Sequence, residues 1–238
     1  MILSAGSSQD WLALATLLIC WIGYTCYASY KSSSAICLSS VLARYRRDWM
    51  VRIISRENRT SDASLLSSLR ASVSFFASTS ILVLAGLITG IAASEEAVGV
   101  LSTIPFVSTT TRELWELKML VMVIIFVYSF FEFTWSLRLY NFGCVVLGSA
   151  PLYKEVEHAR SEQLDYARAS GFIMTLAAKH FNFGLRAYYF ALATLSWFID
   201  PRLLMFSAVL VVVILYSREF HSKVLQVLSD YHLPDDYS

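Results

Sequence analysis

Charge is what this 238-residue chain has least of. Charged residues make up 16% of it and hydrophobic residues 56%, with a mean hydropathy of +0.55. Ordinary soluble domains carry about 25% charged residues, so a soluble globular domain is excluded and the lipid bilayer is the expected solvent. The net charge of +1 leaves no overall field to steer a partner. Cysteine is also scarce. Cys20, Cys26, Cys37 and Cys144 form no C-x-x-C pair and have no histidine at zinc spacing, so they read as small apolar fillers rather than disulfides or metal ligands. No lysine or arginine precedes Trp11. The positive leader of a secretory signal is therefore missing, and the first apolar run is expected to be a retained anchor. Hydrolase, metalloprotease, P-loop and dinucleotide fingerprints are absent as well, so neither enzymatic activity nor a cofactor or metal is expected.

What is present is a set of apolar runs. Residues 11–30 and 71–94 carry no charge up to Ser94 and are long enough to cross a hydrocarbon core of about 30 Å. A third span over 114–136 has to admit Lys118 and Glu132. Trp115 and Trp135 are expected to mark its interfaces, and Thr110-x-x-Glu113 matches a capping box at its start. The last apolar region is interrupted by Asp200-Pro201-Arg202. One helix through that point would place both charges near mid-bilayer, at about 2.5–3.5 kcal/mol each. A hairpin of two spans, 183–199 and 202–218, avoids this, with a capping aspartate and a proline at the first helical position. Arg186 is then expected to snorkel toward the headgroups.

Loop charge sets the orientation. Between the first two spans stand eight basic residues against Asp48, Glu57 and Asp62, whereas the stretch before Trp11 and residues 94–111 have no basic residue. The positive-inside rule gives an N-terminus outside and a C-terminus in the cytoplasm of an inner-membrane protein, which needs an odd number of crossings. Two cytoplasmic segments, 34–60 and 152–181, look helical. In the first, Leu38, Val41, Leu42, Tyr45, Trp49 and Ile53 recur at helical spacing among arginines, the pattern of a helix that lies on anionic lipid. The second has a weaker stripe with Leu164, Phe172 and Leu176 and is expected to pack on the first. The fold class expected is all-α: one multi-spanning membrane domain over residues 1–238, with five transmembrane helices and two amphipathic cytoplasmic segments.

Several strings are distinctive: Arg44-Tyr45-Arg46-Arg47-Asp48-Trp49-Met50, Arg56-Glu57-Asn58-Arg59, Phe76-Ala77-Ser78-Thr79, Trp115-Glu116-Leu117-Lys118, Phe133-Thr134-Trp135-Ser136-Leu137-Arg138, and His180-Phe181-Asn182 followed by Gly184-Leu185-Arg186-Ala187-Tyr188-Tyr189. Together they resemble the membrane family known as domain of unknown function 599 over nearly the whole chain. Glu132 stands where that family leads one to expect a lysine before Phe133. The resemblance implies a multi-spanning membrane protein and brings no catalytic residue.

Each polar residue near a span has a structural reading beside a functional one. Lys118 is either an anion contact or a lysine paired locally with Glu113 or Glu116, and local pairing is the commoner outcome. Glu132 is either a proton or cation site or half of an interhelical ion pair with Arg70, Arg138 or Arg186, the ion pair being favoured. A lone interfacial His180 is more often hydrogen-bonded than a ligand. Arg44 and Arg46, with Arg186 and Lys118, are the candidate ion contacts. Topology and anionic-lipid binding at the cytoplasmic face are the default use of the arginines, a small-anion vestibule the alternative, and nucleic acid is not expected. The function expected is an oligomeric channel or transporter for a small ion, an anion before a cation. The alternative is an accessory or scaffold subunit of a larger membrane complex.

Overall fold

A computed structural model describes residues 6–101, 111–150 and 160–230, and every regular element among them is helical. Helix α1 (Ser8–Ser34) begins at a capping box: Ser7 Oγ accepts from the Asp10 backbone N–H, and the Asp10 carboxylate accepts from the Ser7 N–H at 3.0 Å. Asp10, Ala13, Leu17, Tyr24 and Ala28 fall on one face and are buried. Next come α2 (Leu38–Ile54), α3 (Thr60–Ala92) and a short α4 (Ser94–Leu101). They are followed by α5 (Arg112–Gly148), α6 (Arg160–Leu195), α7 (Pro201–Phe220) and α8 (Lys223–Asp230).

Among the described residues, four stretches are long and apolar enough to cross a membrane: Ser8–Ser32, α3, α5 and Pro201–Ser229. Their outward residues are what lipid requires, with Leu82 74% and Phe75 66% exposed on α3. The fourth expected span, 183–199, is not a separate element. It is the C-terminal half of α6, which is continuous with the segment expected to be a distinct cytoplasmic helix, and α6 is not among the four. The physical reason is that nothing between Arg160 and Leu195 breaks a helix. There is no proline, and Gly184 lies where close packing needs it, since a Cβ there would stand 2.5 Å from the Phe133 ring. The expected stripe of Leu164, Phe172 and Leu176 is also displaced. Phe172 is exposed, and α6 buries Met174 together with Ala167, Ser170 and Ala177 instead, the last three being small residues that let α5 and α2 approach.

The expected hairpin is present. A single 3₁₀ turn, Ser196–Phe198, follows α6, then Asp200 Oδ1 accepts from the Arg202 N–H at 2.6 Å with Pro201 at the first helical position. The start of α5 shifts by one residue: Thr111 is the N-cap, accepting from the Leu114 N–H, while Thr110 lies outside the described residues. The segment just after Pro151 lies outside them too.

Helices α5 and α6 form the centre, flanked by α3 on one side and by α1 with α7 on the other. Three polar rungs join α5 to α6 in antiparallel register. Ser129 Oγ donates to the Gly184 carbonyl at 3.1 Å, Glu132 meets His180 at 2.7 Å, and Ser136 Oγ donates to the Ala177 carbonyl at 2.7 Å. Interhelical hydrogen bonds in membranes are worth about 0.6 kcal/mol each on average. The rungs therefore fix register more than they hold the bundle together, which falls to two apolar cores around Met50, Ile53 and Phe133 and around Leu17, Phe126, Phe190 and Trp197.

Candidate functional site

At the end of the bundle that carries α2, helices α1, α2, α6 and α7 enclose a cavity of about 460 Å³. Small-molecule sites span about 300–1,000 Å³. Among the described lining residues four are basic, Arg46, Lys179, Arg186 and Arg218, and one is acidic, Glu219. That carboxylate is engaged: Glu219 Oε1 accepts from the backbone N–H of Ser39 in the first turn of α2, at 3.0 Å. The positive end of the α2 dipole also faces this region, through Leu38, Ser39 and Ser40.

Arg186 is the distinctive residue. It is 9% exposed, and among the described residues it makes no hydrogen bond or ion pair. Its guanidinium carbon lies 5.4 Å from the centre of the Tyr24 ring and 5.8 Å from that of Phe183. Ring contacts of this kind engage a guanidinium through its face, leaving the N–H donors at its edge for a further acceptor. The expectation that Arg186 snorkels to the headgroups is corrected: it stays in the cavity wall, stabilised by aromatic rings. Thr175 Oγ1, on the same wall, is buried without a partner. Arg46 lies beside Tyr140, and burial pulls its guanidinium below the ordinary range while Tyr140 acts in the opposite sense.

Of the expected anion contacts, the structure thus brings together Arg46 and Arg186. Arg44 is exposed on α2 and is not in the wall. Lys118 lies near the opposite end and is fully buried. Its Nζ donates to the Trp197 carbonyl at 2.9 Å and lies 5.6 Å from the Trp197 ring. Trp197 in turn donates from its indole Nε1 to Asp10 Oδ1 at 2.9 Å. The expected pairing of Lys118 with Glu113 or Glu116 is overturned, because Glu116 is held by Arg112 at 2.8 Å and by Ser94 at 3.2 Å. Trp115 makes an internal contact, donating to the Gly90 carbonyl at 3.2 Å. Glu132 pairs with His180 rather than with an arginine.

Tyr24, Lys179, Arg218 and Glu219 were not singled out from the sequence. Arg218 and Glu219 had a signal, adjacent charges at the end of an otherwise uncharged run from Leu203. Tyr24 had none, being one of 13 tyrosines.

Apolar helices of spanning length define an integral membrane protein of the all-α class. Within that class the chain belongs to the family described as "Protein of unknown function, DUF599", which it matches over residues 12–224. No curated protein and no solved structure matches it.

Proposed function

We propose that this protein is a channel or transporter for an anion, with the cavity around Arg186 as its binding station. The observation that carries the reading is a nine-tenths-buried guanidinium with no anionic partner among the described residues, in a wall with four bases and one committed acid. A buried cation left unpaired is costly unless something negative visits it. The apolar core of Leu17, Phe190 and Trp197 lies beyond the cavity, which favours a gated path over an open pore. The excess of arginine between residues 31 and 70 favours an α2 end in the cytoplasm and an inner-membrane location. With so few spans per chain, we further propose that copies assemble into a homo-oligomer. The protein needs no catalytic step and no cofactor for this role.

The test is flux from proteoliposomes loaded with chloride or phosphate, with a mass measurement in mild detergent. Wild-type protein conducts, and Arg186→Gln cuts the flux by at least about tenfold, the factor for loss of one charge-assisted hydrogen bond. A tight, flux-silent monomer, or co-purification with a larger complex, would replace this reading with that of an accessory subunit.

A further inference from the structure

The cavity does not stand alone. On the lipid-facing side of α1 and α7 runs a groove of about 400 Å³, walled by Ile19, Gly23, Tyr27, Val209 and Tyr216. Its walls are almost wholly apolar, and Ile19 and Val209 are well exposed. Tyr24 belongs to both spaces, lining the groove on one side and, on the other, stacking against Arg186 in the cavity. An apolar channel open to the bilayer and a cationic chamber thus meet at a single residue. Gly23 leaves room in the groove, since nothing lies within 4 Å of where its Cβ would be.

We propose that the occupant is an anionic phospholipid, its phosphate headgroup held by Arg186 and Arg46 in the cavity and one acyl chain laid along the α1–α7 groove. This rests on reading the cavity as an anion site and narrows the anion to a phosphate carried on a lipid. Two features favour a lipid over a free ion. A free anion needs the bases but has no use for a contiguous apolar groove. A lipid in the bilayer also reaches the chamber sideways, at the high local concentration that membranes give their components. Tyr24 suits the junction, because an aromatic ring with a polar tip sits well between an acyl chain and a headgroup.

The experiment uses the full chain purified in mild detergent, exchanged into mixed micelles containing phosphatidylglycerol or diacylglycerol, and read by native mass spectrometry for retained lipid. Wild-type protein retains phosphatidylglycerol at least about tenfold better than diacylglycerol, which has the same tails and no phosphate, the factor for one charge-assisted hydrogen bond. Arg186→Gln removes the preference between headgroups. Gly23→Phe, which fills the groove where there is open space, lowers retention of both lipids and leaves the headgroup preference intact. Should Arg186→Gln fail to fold, Gly23→Phe still decides: unchanged retention overturns the proposal. Equal retention of the two lipids by wild-type protein also overturns it. So does Arg186-dependent binding of inorganic phosphate to lipid-free protein with no lipid retained, which would leave anion transport standing. Arg186-dependent lipid retention in a protein that passes no anion supports the lipid site and removes the transport reading instead.

Discussion

Replacing Lys118 by methionine keeps most of the side chain's length and apolar stem while deleting its ammonium. The structure predicts the consequence. Lys118 is fully buried, makes a charge-assisted hydrogen bond to the Trp197 carbonyl, and is within electrostatic reach of the carboxylates of Asp10 and Asp200. Loss of the hydrogen bond alone costs about 1.5–3 kcal/mol. Asp10 is 6% exposed and would then keep the Trp197 indole and the Ser7 cap but lose its nearby cation. Lys118 and Asp10 form no direct ion pair and are linked through Trp197, so Lys118→Met should lose about 1.5–3 kcal/mol. Asp10→Asn should also destabilise, and combining the two should cost less than the sum, with a coupling of at least about 1 kcal/mol. The assay is reversible unfolding in mixed micelles over the four-member cycle. Strict additivity, or a methionine variant as stable as wild type, would refute the claim that Lys118 and Asp10 tie α5 to the start of α1.

Gly184→Ala places a Cβ 2.5 Å from a Phe133 ring that is itself stacked on Phe76, so overpacking should cost about 1–3 kcal/mol, whereas Gly23→Ala, in open space, should be close to neutral by the same unfolding measurement. At the Glu132–His180 rung, Glu132→Gln preserves a partner for His180 and should lose no more than about 1 kcal/mol, while His180→Ala strands a half-buried carboxylate and should lose about 1–3 kcal/mol; no loss in either variant would show that the rung carries no structural role.

The long apolar runs around α1 and α3 were legible because a spanning segment needs length and freedom from charge, and both can be read along the chain. Asp200-Pro201 was legible because a cap and a fixed φ act locally. The continuity of α6 was not. Its buried face toward α5 and α2 is rich in alanine, serine and glycine beside Met174, so apolar periodicity pointed to Phe172, which faces outward, and close approach to α5 and α2 shows only once they are in place. The cavity was half legible. Arg46 and Arg186 stood out by charge, but their convergence depends on α2 folding back under α6, and the removal of Glu219 as a competitor depends on one backbone N–H of Ser39. Lys118 misled for a similar reason: the acids beside it in sequence are poorer partners than a carbonyl 79 residues away.

The three rungs between α5 and α6 constrain how the protein moves. Sliding either helix by one turn would open Ser129–Gly184, Glu132–His180 and Ser136–Ala177 together, so the pair behaves as a fixed post with α3 leaning on it. The cavity has one wall on that post, carrying Arg186, and another on α1 and α7, carrying Tyr24 and Glu219. A change in the chamber that leaves those rungs closed would have to move its other walls, α1, α2 and α7, as a panel against a stationary jamb, with Tyr24 between panel and Arg186.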